Sequence, residues 1–307
     1  MLKIVRNFIT ENISFKTKKR MYTFLSRVPL LRMMLKKYVQ KNNPVYLVSF
    51  PKCGRTWLRV MLGKVLQIHF NLEDTADILT VSGSKKKFPG FPGVLFVHDD
   101  SAHWKKPDEL EKSKQYYKFR KVIFLVREPK DAAVSMYFEK NKRVSAYVDG
   151  EKLEHPDSVE RIEPYNGSLS EYLYEPVGSI DTIISFYNIW ADNRNVPEEF
   201  LLVRYEDIHE NPKRELRRVL DFIGMKAISD NIIAEAVNFS SFDKMHSMEK
   251  KNKGKTVILR PVDKDDPESY KTRKGKVGGF IEYLNDEEIE YLNNNIKDNL
   301  TDYYRYD

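Results

Sequence analysis

The residues best placed to do chemistry form a short turn directly after an apolar run. Val45 to Val48 is apolar and leads into Pro51-Lys52-Cys53-Gly54, and a helical pattern starts at Arg55. A Pro/Gly turn of this kind directs several backbone N–H groups and the positive end of a helix dipole at one point. Lys52 adds a positive side chain to that point. The turn therefore predicts an anion site that holds a phosphate group.

The position of the lysine distinguishes this turn from the common phosphate loop. In the common loop, G-x-x-x-x-G-K-S/T, the lysine comes last and is followed by a hydroxyl residue that binds Mg²⁺. Here Lys52 precedes Gly54, and Cys53 stands directly after the lysine. This order favours a phosphate ligand held without a dedicated metal ion, so no metal site is expected.

A second group of polar residues follows another apolar run, Lys121 to Val126. Arg127 comes directly after it, and Ser135 lies eight residues further on, in a helix that Pro129 and Asp131 are expected to open. Arg127 in this place can bind a phosphate through charge-assisted hydrogen bonds. Taken alone, the two residues are equally typical of a helix-capping arginine and a serine bonded to its own helix.

These residues need a scaffold that brings the ends of separate segments together. Short apolar strands are predicted at Val45–Val48, Val94–Val97, Lys121–Val126 and Phe200–Val203. Strands that alternate with amphipathic helices indicate an α/β fold with a parallel sheet covered on both faces. Ligands in such sheets bind outside the carboxyl ends of the strands, where the two polar groups fall.

Four segments, taken in order, resemble the cytosolic-type sulfotransferases. The turn at Lys52 is similar to their 5′-phosphosulfate loop P-K-S-G-T-T-W, and residues 121–135 are similar to their 3′-phosphate segment. Leu202 to Asp207 and Arg273-Lys274-Gly275 complete the set, which spans about residues 45–280. The resemblance implies a three-layer, P-loop-like α/β fold with a central parallel sheet flanked by helices. It also implies 3′-phosphoadenosine 5′-phosphosulfate (PAPS) as co-substrate.

The resemblance assigns roles at the donor site. Lys52 is implied to neutralise the leaving bridge oxygen, and Arg127 and Ser135 to grip the 3′-phosphate. Trp57 and Tyr205 are implied to pack against the adenine, although residues of these types are more often plain core. The other positions implied to bind the donor are Cys53, Gly54, Arg55, Thr56, Ser240, Phe242, Arg273, Lys274 and Gly275.

The acceptor hydroxyl needs a general base, and His98 is the predicted one. It follows the strand Val94–Val97, as the catalytic histidine of the family follows its own strand. A neutral imidazole is suited to taking a proton near pH 7. The rival candidates are His103, Asp99 and Asp100.

The sequence also departs from the family pattern. Cys53 and Arg55 replace the usual serine and first threonine of the loop, and Phe96 replaces a frequent lysine two positions before the histidine. Gly278-Gly279-Phe280 stands where G-D-W is usual, and no K-x-x-x-T-V dimer motif follows it. These departures predict a divergent, bacterial-type member, and they leave the acceptor and the oligomeric state open.

The net charge of +7 is unevenly distributed along the chain. Residues 1–41 hold eleven Lys or Arg and one acid, a charge of +10, so the remaining 266 residues sum to −3. The body of the protein is therefore not a polycation, and nucleic-acid binding is not expected. One cysteine excludes an internal disulfide, and no apolar run reaches about eighteen residues, so a cytoplasmic protein is expected.

The charge pattern sets residues 1–41 apart as a basic amphipathic helical segment, and the resemblance implies that residues 42–307 form a single sulfotransferase domain. Residues 12–40 are predicted to be helical, with Pro29 kinking or splitting the helix. The basic face fits peripheral contact with a membrane surface and a helix docked on its own core equally well. Residues 141–178 and 249–279 are predicted to be loops.

Three functions compete for this sequence. The first is transfer of a sulfuryl group, with in-line attack, to a hydroxyl or amine of a small-molecule, carbohydrate or lipid acceptor. The second is nucleotide-dependent phosphoryl transfer, which needs a Mg²⁺-binding hydroxyl where Cys53 stands. The third is non-catalytic binding of phosphates or anionic surfaces, which does not explain the order of Lys52, Arg127, Ser135 and Arg273. The first is therefore the predicted function.

Overall fold

A four-stranded parallel sheet forms the centre of the protein. In the computed structural model, residues 17, 21–22, 24–25, 28–42, 45–73, 78–81, 88, 90–144, 164–251 and 259–306 are described. The strands are β1 (Val45–Ser49), β2 (Val94–Val97), β3 (Lys121–Val126) and β4 (Glu199–Arg204), in the spatial order β2-β1-β3-β4. All four predicted strands are confirmed to within one residue at each end.

The register of the sheet aligns the carboxyl ends of neighbouring strands. Val48 lies opposite Val97 of β2 and Phe124 of β3, and Val126 at the end of β3 lies opposite Arg204. The loops that follow β1, β2 and β3 therefore leave the same edge of the sheet. The turn at Lys52, the residue His98 and the residue Arg127 all start from this edge, as the sequence predicted.

Helices connect the strands and cover the sheet. In chain order the helices of the described ranges are α1 (Pro29–Asn42), α2 (Arg55–His69), α3 (Ile78–Val81), α4 (Pro129–Phe138), α5 (Leu169–Leu173), α6 (Ile180–Asp192), α7 (Tyr205–Glu210), α8 (Pro212–Phe222), α9 (Asp230–Phe239), α10 (Phe242–Lys251) and α11 (Asp286–Asn299). A π-helical turn, Glu139–Arg143, continues α4. Helices α2, α8 and α9 pack together, and α4, α6 and α11 form a second group through α6. The central parallel sheet flanked by helices confirms the predicted fold class.

One hydrophobic core joins the sheet to both groups of helices. Leu47, Val48 and Leu125 are completely buried in it, which explains why the central strands consist of uninterrupted apolar residues. Helix α1 packs separately, because Leu35 and Val39 form a small cluster with Tyr22 and Phe119.

The predicted break in the N-terminal helix is confirmed. Val28 lies in a bend, and α1 begins at Pro29, where the missing N–H of a proline costs no helical hydrogen bond. Residues 12–16, 18–20, 23 and 26–27 of the predicted helix lie outside the described residues.

The two predicted loops contain some helix. Helix α5 lies within 141–178, and α10 extends to Lys251 at the start of 249–279. Residues 145–163 and 252–258 of these segments lie outside the described ranges. Within the described part of the chain, no helix combines the length and the apolar character that a membrane span requires.

Candidate active site

The turn after β1 is shaped by two residues in the left-handed conformation. Lys52 has φ 70° and Gly54 has φ 91°. A Cβ at position 54 would lie 2.6 Å from Cδ2 of Tyr205, so the tight contact and the dihedral angle both require glycine. Gly54 caps α2 without a side-chain hydrogen bond, and the amide groups of Arg55 and Thr56 open the helix. An uncapped helix N-terminus of this kind is suited to bind an anion.

Lys52 is held by a buried carboxylate. Its Nζ donates to Oε2 of Glu139 at 2.7 Å, and the two side chains are only 8% and 11% exposed. Burial lowers the pKa of Lys52 to about 7, although the charge of Glu139 opposes that change. The ammonium group is therefore readily lost or gained near neutral pH, depending on the charges around it.

Glu139 forms ion pairs with three cationic side chains. Oε1 accepts from Nζ of Lys271 at 3.2 Å, and Oε2 lies 3.2 Å from Nε of Arg143. Burial acts to raise the pKa of Glu139, but Lys271, Lys52 and Arg143 outweigh it and hold the pKa well below its ordinary value. The sequence reasoning missed Glu139. Its spacing of four residues from both Ser135 and Arg143 was the available signal, because such residues share one helix face.

Arg127 links the turn to the C-terminal segment. Its guanidinium donates to the backbone oxygens of Lys52 at 3.2 Å and Lys276 at 2.9 Å, and it lies 4.5 Å from the ring centroid of Tyr205. Nε of Arg127 is buried and has no hydrogen-bond partner among the described residues. An unpaired buried donor is costly, so this nitrogen is a candidate to donate to a ligand oxygen.

The Arg273-Lys274-Gly275 segment lies beside the end of α4. Arg273 donates to Oε2 of Glu268 at 2.9 Å and lies 4.3 Å from the ring centroid of Phe138. Lys274 donates to Glu282 at 3.1 Å and is partly exposed. The segment therefore has fixed partners and is not a solvated charge run.

Asp131 holds the next part of this segment against α4. Oδ2 accepts from the backbone N–H of Gly278 at 2.9 Å, and Oδ1 accepts from that of Phe280 at 3.0 Å. Asp131 also lies 3.4 Å from Arg127. The residues that replace the family's usual G-D-W thus anchor the segment through backbone amides.

The residues predicted to face the adenine form one aromatic cluster. The rings of Trp57 and Tyr205 lie 5.8 Å apart at 65°, and Trp57 lies 6.0 Å from the ring of His209. His209 Nε2 is 2.9 Å from the carbonyl oxygen of Gly275. A Cβ on Gly275 would lie 2.4 Å from the ring of Phe242, which is 41% exposed. The cluster joins the turn to the Arg273 segment.

Two predicted donor residues, Cys53 and Ser240, have side chains that contact the protein itself, and a third, Ser135, is buried. The Cys53 thiol is buried 3.3 Å from the hydroxyl of Tyr187, and burial raises its pKa to about 12, so it stays protonated. Ser240 donates to the backbone oxygen of Val237 at 3.1 Å, the bond of a serine to its own helix. Ser135 is buried in α4. For Cys53, only the backbone can take part in the anion site.

His98 lies at the carboxyl end of β2 with both ring nitrogens engaged. Nδ1 is 3.2 Å from the backbone oxygen of Ser49, and Nε2 contacts Nη2 of Arg55. A carbonyl oxygen can only accept, so Nδ1 carries the proton and Nε2 accepts from Arg55. Burial, followed by the charge of Arg55 and the nearby His103, lowers the pKa of His98 well below its ordinary value. The imidazole is therefore neutral at pH 7.

The two rival acids are engaged in the structure. Asp99 accepts from Tyr117 at 2.8 Å and pairs with Lys114 at 2.7 Å, with both side chains of the ion pair almost completely buried. Asp100 pairs with Lys105 and accepts from the backbone of Glu111. Each carboxylate is thus held by a cation and a hydrogen-bond donor.

His103 remains a neighbour of His98, with its ring centroid 5.5 Å away. Among the described residues, no group of three or more His, Cys, Asp or Glu side chains is arranged to hold a metal ion.

Comparisons with known proteins agree with this arrangement. The family model for the sulfotransferase domain matches residues 42–304. Flavonol 3-sulfotransferase of Flaveria bidentis is 25% identical over 84% of this chain and 82% of its own length. Cytosolic sulfotransferase 17 of Arabidopsis thaliana is 26% identical, and the match covers 85% of this chain and 76% of that protein.

Solved structures show the same fold. Mouse sulfotransferase SULT7A1, complexed with PAP, superposes with a TM-score of 0.55 at 20% identity and covers 84% of both chains. Retinol dehydratase in a complex with retinol and PAP gives a TM-score of 0.55 at 17% identity and covers 84% of this chain and 81% of that one. The low identities confirm a divergent member, as predicted, while its bacterial type stays a prediction. The chain therefore belongs to the sulfotransferase family, the PAPS-dependent enzymes that its motifs resemble.

Proposed function

We propose that this sulfotransferase moves the sulfuryl group of PAPS to a hydroxyl or amine of a small-molecule, carbohydrate or lipid acceptor, with His98 as general base. The observation that carries the proposal is the bridge made by Arg127. Its guanidinium binds the carbonyl of Lys52 on one side and that of Lys276 on the other. The segments of Lys52, Arg127 and Lys276, which are far apart in the sequence, thus meet at one basic site. In this site Nε of Arg127 has no hydrogen-bond partner in the described part of the chain.

The residues fit the two phosphate groups of the donor. The uncapped start of α2 suits the 5′-phosphate, and the unpartnered Nε of Arg127 suits the 3′-phosphate. When bound, PAPS supplies a sulfuryl group joined to its 5′-phosphate through a bridging oxygen. The residues that we assign to donor binding are the predicted Lys52, Cys53, Gly54, Arg55, Thr56, Trp57, Arg127, Ser135, Tyr205, Ser240, Phe242, Arg273, Lys274 and Gly275.

Lys52 and His98 carry the proposed chemistry. The ammonium of Lys52 stabilises negative charge that develops on the leaving oxygen, which is an electrostatic contribution to catalysis. Nε2 of His98 is the unprotonated nitrogen, so it takes the proton of the acceptor as the acceptor attacks. Structures similar to this chain hold PAP, the desulfated product of such a donor, which supports the assignment.

The test is transfer of sulfur-35 from labelled PAPS to acceptors in an extract of the native organism. We expect His98→Ala to abolish transfer and to leave calorimetric binding of adenosine 3′,5′-bisphosphate (PAP) intact, because His98 is assigned to the acceptor side. His69→Ala, at the exposed end of α2, is the matched control and should behave as the unmodified protein. Near-normal turnover of the His98 variant would contradict the assignment.

We propose further that the basic segment 1–41 places the enzyme at a membrane surface in the cytoplasm. Helix α1 packs on the protein through Leu35 and Val39, yet Leu30 and Met33 are 55% and 51% exposed. The exposed basic side chains beside them are those of Arg32, Lys36 and Lys37. Apolar and basic side chains on one exposed face suit the surface of an anionic membrane. Relatives named cytosolic sulfotransferases support the cytoplasmic location.

Vesicle flotation with the intact protein tests this second proposal. Vesicles that contain phosphatidylserine should float the protein at low salt, and binding should fall as the salt concentration rises. Changing Leu30 and Met33 together to Asn should weaken flotation, whereas Ile281→Asn removes an equally exposed apolar side chain outside α1 and should not. Equal flotation of both variants, or none by the unmodified protein, would remove the proposal.

A further inference from the structure

Arg55 has a buried guanidinium that the donor site does not use. Its backbone amide opens α2, but its side chain runs to His98, where Nη2 contacts Nε2 of the imidazole. Nη1 is buried and has no hydrogen-bond partner, and no carboxylate of the described residues lies within ion-pair distance of Arg55. A buried guanidinium without a carboxylate is costly, so its retention calls for a partner from outside the chain.

A second arginine stands beside it. Arg59 follows one turn later on the same face of α2, and its guanidinium carbon lies 4.8 Å from the ring centroid of Phe96. Phe96 replaces the lysine that the family often has two positions before the histidine. Arg59, which packs on Phe96, therefore supplies a positive charge close to the place of that lysine. Burial and the charge of Arg59 lower the pKa of Arg55 to about 9. The two guanidinium groups therefore act on each other electrostatically.

The nearby acid Glu139 does not form an ion pair with Arg55. Glu139 acts on Arg55 electrostatically, but its two oxygens are already taken by Lys52, Lys271 and Arg143. In the proposed function, the donor phosphates are assigned to the turn amides and to Arg127. The guanidinium of Arg55, which contacts His98, is thus left without a carboxylate partner within the described ranges.

The contact between Arg55 and His98 also blocks the proposed base. Nε2 must receive the proton of the acceptor, yet its lone pair accepts a hydrogen bond from Arg55. A neutral acceptor that displaced Arg55 would leave a buried charge with no new partner. An acceptor that brings its own negative group gives Arg55 a partner and frees Nε2 in the same step.

We propose that Arg55, supported by Arg59, binds an anionic group of the acceptor, so that the substrate is a hydroxyl or amine compound with a carboxylate, phosphate or sulfate near the reacting atom. This inference rests on the proposed sulfuryl transfer with His98 as base. Binding of the anionic group moves Arg55 off His98. The enzyme therefore selects acidic acceptors and gains an unblocked base only when one is bound.

Nitrogen-15 NMR of the His98 ring tests the inference without knowledge of the true acceptor. In PAP-saturated protein, titration with acetate or with inorganic phosphate should shift the Nε2 resonance, because each anion draws Arg55 away from it. The acetate and phosphate arms distinguish a carboxylate from a phosphate ligand. Arg55→Gln should abolish the response, and Arg55→Lys should keep part of it.

Paired acceptors give a second readout. Transfer to 4-hydroxyphenylacetate should exceed transfer to 4-hydroxyphenylacetamide by about tenfold or more in kcat/KM, and glucose 6-phosphate should exceed glucose likewise, as expected for charge-assisted contacts. Arg55→Gln should remove both preferences. Lys64→Gln, which changes another cation of α2 bound to Gln67, is the control and should keep them.

The outcomes separate this inference from the proposed function. The inference is wrong if the His98 resonance responds to neither anion, or if Arg55→Gln still prefers the acidic acceptors. Neither result affects the proposed sulfuryl transfer as long as the protein binds PAP. Loss of PAP binding by the unmodified protein would overturn the proposed function itself.

Discussion

Burial gives Lys52 its chemical character. An exposed lysine is always charged at neutral pH, but the side chain of Lys52 is enclosed and its pKa falls to about 7. Glu139 prevents a deeper fall and holds the ammonium group at one position through a 2.7 Å hydrogen bond. A donor with a negative group at the turn therefore meets a lysine whose charge responds to that group.

PAP binding should take up a proton at pH 8. In the free protein the pKa of Lys52 is about 7, so the side chain is mostly neutral at that pH. The phosphates of the ligand favour the charged form and raise this pKa, so binding adds a proton and the affinity falls as the pH rises from 7 toward the new value. Calorimetry in two buffers of different ionisation enthalpy measures the uptake.

One variant tests the role of Lys52 in this proton uptake, and a second serves as its control. Lys52→Arg keeps a positive charge at all these pH values and should lose the uptake, whereas Lys64→Arg changes a lysine outside the turn and should retain it. Binding heats that do not depend on the buffer in the unmodified protein would show that Lys52 is already charged before the ligand arrives.

Asp99 should matter for stability and not for proton transfer. Its partner Lys114 is as deeply buried as Asp99 itself, and the two lie 2.7 Å apart. Asp99→Asn leaves the charge of Lys114 buried and unpaired, which costs about 3–5 kcal/mol of unfolding free energy. Urea denaturation should show this loss, while the exposed Asp108→Asn should leave the midpoint unchanged. A stable Asp99 variant without transfer activity would instead revive Asp99 as the base.

The C-terminal segment depends on α4 for its position. Asp131, in the first turn of α4, accepts from the backbone N–H groups of Gly278 and Phe280. The same carboxylate pairs with Arg127, so one side chain aligns the helix, Arg127 and the segment. The position of the segment that contains Arg273 therefore depends on the hydrogen bonds from Gly278 and Phe280 to Asp131.

Asp131→Ala should release the segment and weaken donor binding. Two hydrogen bonds to a charged group are lost, each worth about 1.5–3 kcal/mol, so PAP affinity should fall by at least about tenfold. Hydrogen exchange of the Gly278 and Phe280 amides should become faster at the same time. Glu287→Ala removes an exposed acid at the start of α11 and serves as the control. Unchanged exchange in the Asp131 variant would mean that other contacts hold the segment.

The helices and strands were easier to predict from this sequence than the side-chain contacts between them. The four strands follow from short apolar runs that end in turn residues, and α4 follows from Pro129 and Asp131. The contacts of Glu139 with Lys271 and of Arg55 with His98 join residues 132 and 43 positions apart. No local pattern encodes such pairs, because they exist only when the sheet sets the two elements side by side.

The site exists only in the assembled molecule. Lys52, Arg127 and Lys276 come from three stretches of chain. The parallel register brings the ends of β1 and β3, and with them Lys52 and Arg127, to one edge of the sheet. Arg127 then donates to the backbone oxygens of Lys52 and Lys276. A ligand that contacts all three stretches binds the folded state alone. Its binding free energy therefore adds to the stability of the whole molecule.

PAP should stabilise the protein more than ATP with Mg²⁺ does. At a PAP concentration 100 times its Kd, the unfolding free energy should rise by about 2.7 kcal/mol, seen as a higher urea midpoint. ATP with Mg²⁺ should raise it less, because Cys53, whose thiol is buried, stands where a phosphoryl transferase needs a hydroxyl for the metal. Adenosine 5′-monophosphate, which lacks the 3′-phosphate, leaves Nε of Arg127 without a partner and should also stabilise less. A larger effect of ATP with Mg²⁺ would instead favour phosphoryl transfer as the activity of this site.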